Sequence, residues 1–267
     1  MGRYFKFDGN TFDFATRADV SWRYEYWNEF VFGGERDQRV YGLTKITPSI
    51  TAEYDLNGLK FLKYALGSLE ATGVTVTVSD LPQIATIHAG VDGIWAGILD
   101  AKIDTWSMSV EENGPVKAEF TAIGKNTTSA TATVYSADFC TNVMMASDVS
   151  VVVGTNTIDY TRFNLNINNG LEPIFKGSTI PQTIRPTGLE IDGRIRVADY
   201  LDTDIVNTSL AVHIGTIGDI YIPIIKITEI PPRVTGYDLP EAEYAFNGYP
   251  GCTVSAIWAN LDNTIKW

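Results

Sequence analysis

The chain says the same thing twice. Residues 118–124 read Ala-Glu-Phe-Thr-Ala-Ile-Gly and residues 242–248 read Ala-Glu-Tyr-Ala-Phe-Asn-Gly, a shared Ala-Glu-aromatic-x-x-x-Gly frame at an offset of 124. Lys102-Ile103 and Lys226-Ile227 keep that offset. His88-x-Gly90 matches His213-x-Gly215 at 125, and Ile94-Trp95 matches Ile220-Tyr221 at 126. Upstream, Gly42-Leu43 and Ala52-Glu53-Tyr54 match Gly188-Leu189 and Ala198-Asp199-Tyr200 at 146. The blocks keep their order, so the chain is expected to fold as two copies of one unit. The expected division is an N-terminal strand or arm with an aromatic loop (1–39), a first domain (40–125), connecting strands (126–158) and a second domain (159–267).

The local pattern is alternation. In Gly73-Val-Thr-Val-Thr-Val-Ser79, Val74, Val76 and Val78 share one face and Thr75 and Thr77 the other. Residues 130–135, 151–153, 163–168, 191–197 and 221–227 are likewise rich in β-branched and aromatic residues, with Gly, Asn, Asp and Pro between them. Such runs predict strands. Asn113-Gly114 and Asn169-Gly170 are tight-turn signals. One segment predicts helix: near 57–66, Leu59, Leu62 and Leu66 recur at helical spacing, with Asp55 or Asn57 placed to cap the start and Gly67 the end. The corresponding place in the second half, 201–207, is shorter and predicts at most a vestigial helix, which accounts for the fall in offset from 146 to 124.

The segment from Tyr24 to Gly42 stands apart. Tyr24, Tyr26, Trp27, Phe30 and Phe32 precede Gly33-Gly34 and the charged run Glu35-Arg-Asp-Gln-Arg39. Two readings stay open: a hairpin arm packing on a neighbouring subunit, or a strand of the local core.

Composition excludes several functions. The net charge is −12 and both halves are acidic, which disfavours binding nucleic acid through phosphate neutralisation. The N-terminus lacks an apolar signal core, Gly2 lacks the Ser/Thr of a myristoylation site, and no run reaches the ~18–20 apolar residues of a membrane helix. Cys140 and Cys252 lack metal spacing and are expected to be buried thiols, with a single bridge as the alternative. No nucleophile elbow, phosphate loop or zinc motif occurs, so no catalytic residue, cofactor or metal is expected. Asp192, Asp199, Asp202 and Asp204 lack calcium-loop spacing and predict a solvated edge. In the repeated motif, strand geometry sends Ala118 and Phe120 one way and Glu119 the other, and the same holds around Glu243.

Longer stretches carry a resemblance. Ile46-Thr-Pro-Ser-Ile-Thr-Ala-Glu-Tyr-Asp-Leu-Asn-Gly-Leu-Lys-Phe-Leu-Lys-Tyr-Ala-Leu-Gly67 resembles the strand-then-helix unit of tail tube proteins from long-tailed viruses of bacteria and archaea. So do Ile94 to Val110, Gly114 to Lys125, Phe163 to Pro173 and Pro186 to Tyr200. The resemblance implies a mainly β fold, a duplicated β-sandwich or split barrel flanked by a short helix, assembling into a ring with a continuous inner barrel. It implies a structural virion protein whose stacked rings deliver viral DNA. Expected partners are copies of itself (three chains as a pseudo-hexamer, with six as the alternative), the tape-measure, tail-terminator and distal tail proteins, and DNA in transit without specific binding. Assembly would occur in the host cytoplasm. Glu119, Glu243, Glu53 and Asp199 are the expected lumen-facing residues, and Tyr26, Trp27, Phe30, Phe32, Glu35, Arg36 and Arg39 the expected stacking contacts. The alternative is a carbohydrate-binding or adhesin β-sandwich, suggested by 6 Trp and 13 Tyr.

Overall fold

A computed structural model describes residues 3–7, 10–12, 15–31, 38–56, 58–59, 62–69, 75–78, 84–91, 94–131, 143–197, 207–215, 217–229, 242–249 and 255–257. The first half holds β1 (Arg3–Phe7), β2 (Asn10–Phe12), β3 (Ala15–Val31), β4 (Gln38–Asp55), the helix α1 (Leu62–Leu66), β5 (Gly67–Leu69), β6 (Thr75–Val78), β7 (Ala85–Val91), β8 (Ile94–Glu111), β9 (Lys117–Ile123) and β10 (Asn126–Thr131). The second holds β11 (Val149–Val153), β12 (Asn156–Ile158), β13 (Tyr160–Asn168), β14 (Leu171–Ile174), β15 (Thr183–Pro186), β16 (Glu190–Val197), β17 (Asn207–Ile214), β18 (Gly218–Glu229), β19 (Ala242–Gly248) and β20 (Ser255–Ile257). The fold is mainly β, as the alternation predicts.

The pairing pattern of the first half recurs in the second. β1 pairs with β2 and β7, as β11 pairs with β12 and β17. The chain β3–β4–β9–β8–β7 is matched by β13–β16–β19–β18–β17. β10 lies on β8 as β20 lies on β18. Register repeats as well. Ile103 faces Ala122 and, 124 residues on, Ile227 faces Phe246; one residue then bulges in each strand before Thr105 meets Thr121 and Glu229 meets Ala245. A bulge between Ala15 and Arg17 is matched between Tyr160 and Arg162, and one between Ala85 and Ile87 is matched between Thr208 and Leu210. A bulge offsets the alternation by one residue and bends its strand, so three bulges at the same rungs give both halves the same curvature.

The repeated motif reads physically in this frame. Ala118 and Phe120 are buried on β9, and Ala242 and Tyr244 on β19. Its closing glycines sit where a side chain has little room. A Cβ on Gly124 would lie 2.8 Å from Ile98 Cβ, and one on Gly248 would lie 3.0 Å from Ile191 Cβ.

The two halves share one sheet. β8 is an edge of the first four-stranded set, β13 is an edge of the second, and they pair antiparallel from Glu111–Arg162 to Thr105–Asn168. The result is a continuous run β3–β4–β9–β8–β13–β16–β19–β18. One face buries Tyr54, Trp106, Phe120, Phe163, Tyr244 and Phe246 in a single core. Tyr54 and Phe120 meet edge to face, and Trp106 Nε1 donates to the Tyr54 hydroxyl at 3.2 Å, so the indole N–H is satisfied inside the core.

Three expectations need correction. The helix is Leu62–Leu66, shorter than 57–66: Leu59 is buried in a bend outside it, so the Leu59/Leu62/Leu66 stripe reports burial over a longer segment than the helix. His213 does not hold the place of His88. His88 faces Gly97 whereas His213 faces Asp219, which puts His213 where Gly90 stands in the first half. By the same ladder Ile94 corresponds to Gly218, not Ile220. The vestigial helix expected at 201–207 falls outside the described residues except Asn207, which opens β17.

Candidate assembly surface

The opposite face of the eight-stranded run is polar. Its side chains alternate with the core set, which follows from the two-residue period of a strand. Glu53 on β4 stands directly across from Glu119 on β9, and Glu119 is in turn across from Ser107 on β8. Like charges facing each other across a ladder repel; Lys117 Nζ, 3.6 Å from Glu53, offsets this. Asp55, at the end of the same row, is held above the ordinary carboxylate range, chiefly by burial and also by Glu53, with Lys117 opposing; its Oδ1 is buried without a hydrogen-bond partner.

The matching rung in the second half has different chemistry. Glu243 faces Arg196, and its carboxylate lies 2.8 Å from Arg194 and 3.5 Å from Arg196. Asn166 donates to Asp192 at 2.9 Å beside it. The polar face is therefore a mixture of paired charges and amides, not a uniform acidic sheet.

A strap closes the seam between halves. After β13 the chain turns at Asn169-Gly170, where Gly170 takes a positive φ of 53°. Asn169 is buried, and its Nδ2 donates to the carbonyls of Ala65 and Ile103, both at 2.9 Å. The Leu171 N–H donates to Asp104 at 2.7 Å, Lys102 Nζ donates to the Ile184 carbonyl at 3.0 Å, and the Ile46 N–H donates to the Thr179 carbonyl at 2.7 Å. Lys45 stands 5.1 Å over the Phe175 ring, a cation–π distance. The 169–186 segment of the second half thus crosses β8 and reaches β4 of the first. Burial raises the Asp104 carboxyl above its ordinary value, opposed by the Leu171 hydrogen bond. Burial, then Lys125, lowers Lys102. No such strap covers the second half among the described residues. There β16, β18 and β19 flank an open groove of about 670 Å³, lined by Asp192, Arg194, Lys226, Thr228, Asn247 and Tyr249.

The arm is the other distinctive element. β3 and β4 form one long hairpin that runs from Ala15–Tyr54 to Val31–Gln38. Tyr26, Trp27 and Phe30 lie on β3, and Phe30 pairs with Arg39 on β4. Phe32, Glu35 and Arg36 fall outside the described residues, as do Asp199, Asp202, Asp204, Cys140 and Cys252. Arg194, Arg196 and Asn169 were not singled out by sequence. Asn169 carries only a turn signal in the sequence, and alternation places the arginines on a strand without saying which charge faces which.

Among the described residues no cluster of His, Cys, Asp and Glu could hold a metal ion, and no helix is long and apolar enough to cross a membrane. The family described as phage tail tube protein matches residues 29–248. No curated protein matches the chain. Among solved structures it is similar to one titled "Crystal Structure of SPP1 Dit (gp 19.1) Protein, a Paradigm of Hub Adsorption Apparatus in Gram-positive Infecting Phages", with 11% identity, 96% of this chain and 98% of that one covered, and a TM-score of 0.25. A likeness at that score carries no argument.

Proposed function

The chain belongs to the phage tail tube protein family and is a structural protein of the tail; from that premise we propose that it polymerises as stacked rings forming the conduit for viral DNA. Each chain contributes two of six similar positions, so three chains close a ring. The observation that carries this reading is the repeated ladder: the same eight pairing partners, with bulges at the same rungs, occur twice and join through β8 and β13. Two units related in this way extend an open sheet around a closed axis, and closure removes sheet edges. We draw the units as 3–131 and 149–257, the first wider than the sequence-based 40–125 and the second shifted toward the N-terminus of 159–267, because β1–β3 and β11–β12 hold matching places.

The polar face is assigned to the lumen, since the other face is occupied by the core. Glu53, Glu119 and Glu243 then line the channel. Arg194 and Arg196 beside Glu243 are partly neutralised by it, which leaves less cationic surface for phosphate to grip. The arm is assigned to ring stacking, and the ends of the tube to contacts with tape-measure, terminator and distal tail proteins. Cryo-microscopy of the purified protein tests the reading: rings of three chains are expected. Six chains per ring would refute the pseudo-hexamer, and a monomer that never assembles would refute the tube. Glu119→Lys with Glu243→Lys should leave rings intact and impair DNA delivery on infection; unchanged delivery would remove these residues from the lumen.

A further inference from the structure

Four Asn-Gly dipeptides occur in the chain, beginning at residues 57, 113, 169 and 247. The fold treats them differently. Asn57 falls outside the described residues. Asn169 is buried, its Nδ2 donates to the carbonyls of Ala65 and Ile103, and the Gly170 N–H donates to Asn168 Oδ1 at 2.9 Å. Asn247 has an exposed side chain, but the glycine after it is held in the sheet: Gly248 stands across from Ile191 on β16 and from Ile225 on β18. Asn113 has neither protection. It is exposed in the turn between β8 and β9, with a left-handed φ of 63°. Its side-chain amide has no hydrogen-bond partner among the described residues. The Gly114 N–H donates only to the Glu111 carbonyl of the same turn, at 3.1 Å.

The difference matters because glycine has no β-carbon to shield its nitrogen from the side chain before it. We propose that Asn113-Gly114 is a site of spontaneous self-modification, with water as the only co-reactant. The Gly114 nitrogen gives up its proton to solvent and bonds to the Asn113 side-chain carbonyl carbon. Ammonia leaves, and a cyclic succinimide joins the two residues. Water then opens the ring at one of its two C–N bonds. Breaking the bond to the side-chain carbon gives aspartate. Breaking the bond to the main-chain carbon gives isoaspartate, in which the backbone runs through the former side chain. Either product adds a carboxylate beside Glu112 and Asp159, two acids without ion-pair partners that line a cavity of about 490 Å³ together with Asn113. Isoaspartate also inserts a carbon into the backbone of a turn that anchors its surroundings. The Glu112 N–H donates to the Thr161 carbonyl at 3.1 Å, and the Ala146 N–H donates to the Gly114 carbonyl at 2.9 Å. The chemistry depends on this turn alone and proceeds whether or not rings form.

Ageing the full-length protein in mildly alkaline buffer, followed by peptide mapping with mass spectrometry, tests this. Asn113 should convert to a mixture of aspartate and isoaspartate several-fold faster than Asn247, while Asn169 keeps its amide. In denaturant all three sites should convert at similar rates, because the dipeptide is the same and the protection given by local structure is gone. Gly114→Ala supplies a second arm. A Cβ on Gly114 would lie 3.5 Å from the Glu111 carbonyl oxygen, an ordinary contact, so the variant fits the turn. It should slow conversion at residue 113 several-fold by screening the nitrogen. Folded protein in which Asn113 converts no faster than Asn169 would overturn the assignment. So would a Gly114→Ala protein that converts as fast as wild type.

Discussion

The rung that holds Glu53 and Glu119 in the first half holds Arg196 and Glu243 in the second. The backbone geometry is the same and the charge arithmetic is reversed. In one unit two carboxylates face each other and need Lys117 nearby; in the other a carboxylate sits between two guanidiniums. The core side of the same strands hardly differs: Ala118 and Phe120 match Ala242 and Tyr244, all buried. The lesson concerns what a duplicated fold preserves. Burial and register are fixed by the shared ladder, whereas the exposed face is free to diverge once the two copies share one chain.

The strongest way to break the comparison is through the core. Phe120→Ala and Tyr244→Ala should each cost about 3–5 kcal/mol by loss of transfer energy and cavity formation. Because the sheet is continuous through β8 and β13, each variant should unfold in one transition of lowered midpoint by calorimetry. Two transitions, with only one displaced, would show that the units fold separately. Next in size is the strap. Asn169→Ala leaves the carbonyls of Ala65 and Ile103 without their donor, at about 2–3 kcal/mol. Denaturant midpoints should fall accordingly; a change below the error of the measurement would mean water replaces the amide.

The charged rungs give smaller effects that sharpen the contrast. Glu119→Gln, which removes the facing carboxylate and keeps the Lys117–Glu53 pair, should stabilise the first unit and Arg196→Gln destabilise the second, each by about 0.2–1 kcal/mol, with both effects fading in high salt. Equal signs would mean the rungs do not act as pairs. The smallest expected effect is on pH dependence. Burial raises Asp104 above the ordinary carboxylate value, so the folded state holds its proton more tightly than the unfolded chain does. That contribution is fully present below the unfolded value and is lost as pH rises through the folded one. Asp104→Asn, which can still accept from Leu171, should therefore gain stability relative to wild type as pH rises from acid toward neutral. A difference that is flat with pH would contradict the raised carboxyl.

Much of the ladder was legible because strands advertise burial. Alternation located β6, β11, β13, β16 and β18, and the Ala-Glu-aromatic-x-x-x-Gly frame placed β9 and β19 on equivalent rungs. The N-terminal strands were harder. β1 and β11 correspond, yet one reads Arg-Tyr-Phe-Lys-Phe and the other Val-Ser-Val-Val-Val. A ladder position demands extended backbone and one apolar face, which many sequences meet without sharing a residue. The histidine match misled for the converse reason: identity at two positions outweighed a register that only hydrogen bonds define. The charge reversal at Arg196 was hidden because matching Ala52-Glu53-Tyr54 to Ala198-Asp199-Tyr200 slid the strand by three residues from its ladder partner. The strap could not be foreseen, since its contacts join residues as far apart as Ala65 and Asn169.

The β8–β13 pairing has a consequence for concentration. A contact between two separate proteins weakens on dilution, but one held within a single polypeptide keeps an effective local concentration that dilution does not touch. In the proposed ring of six positions, half the joints are then complete as soon as the chain has folded. Closure needs three encounters instead of six, so the concentration dependence of nucleation falls to that of a three-body process. On that proposal, a tube starts at levels where six separate single-unit chains would remain dispersed.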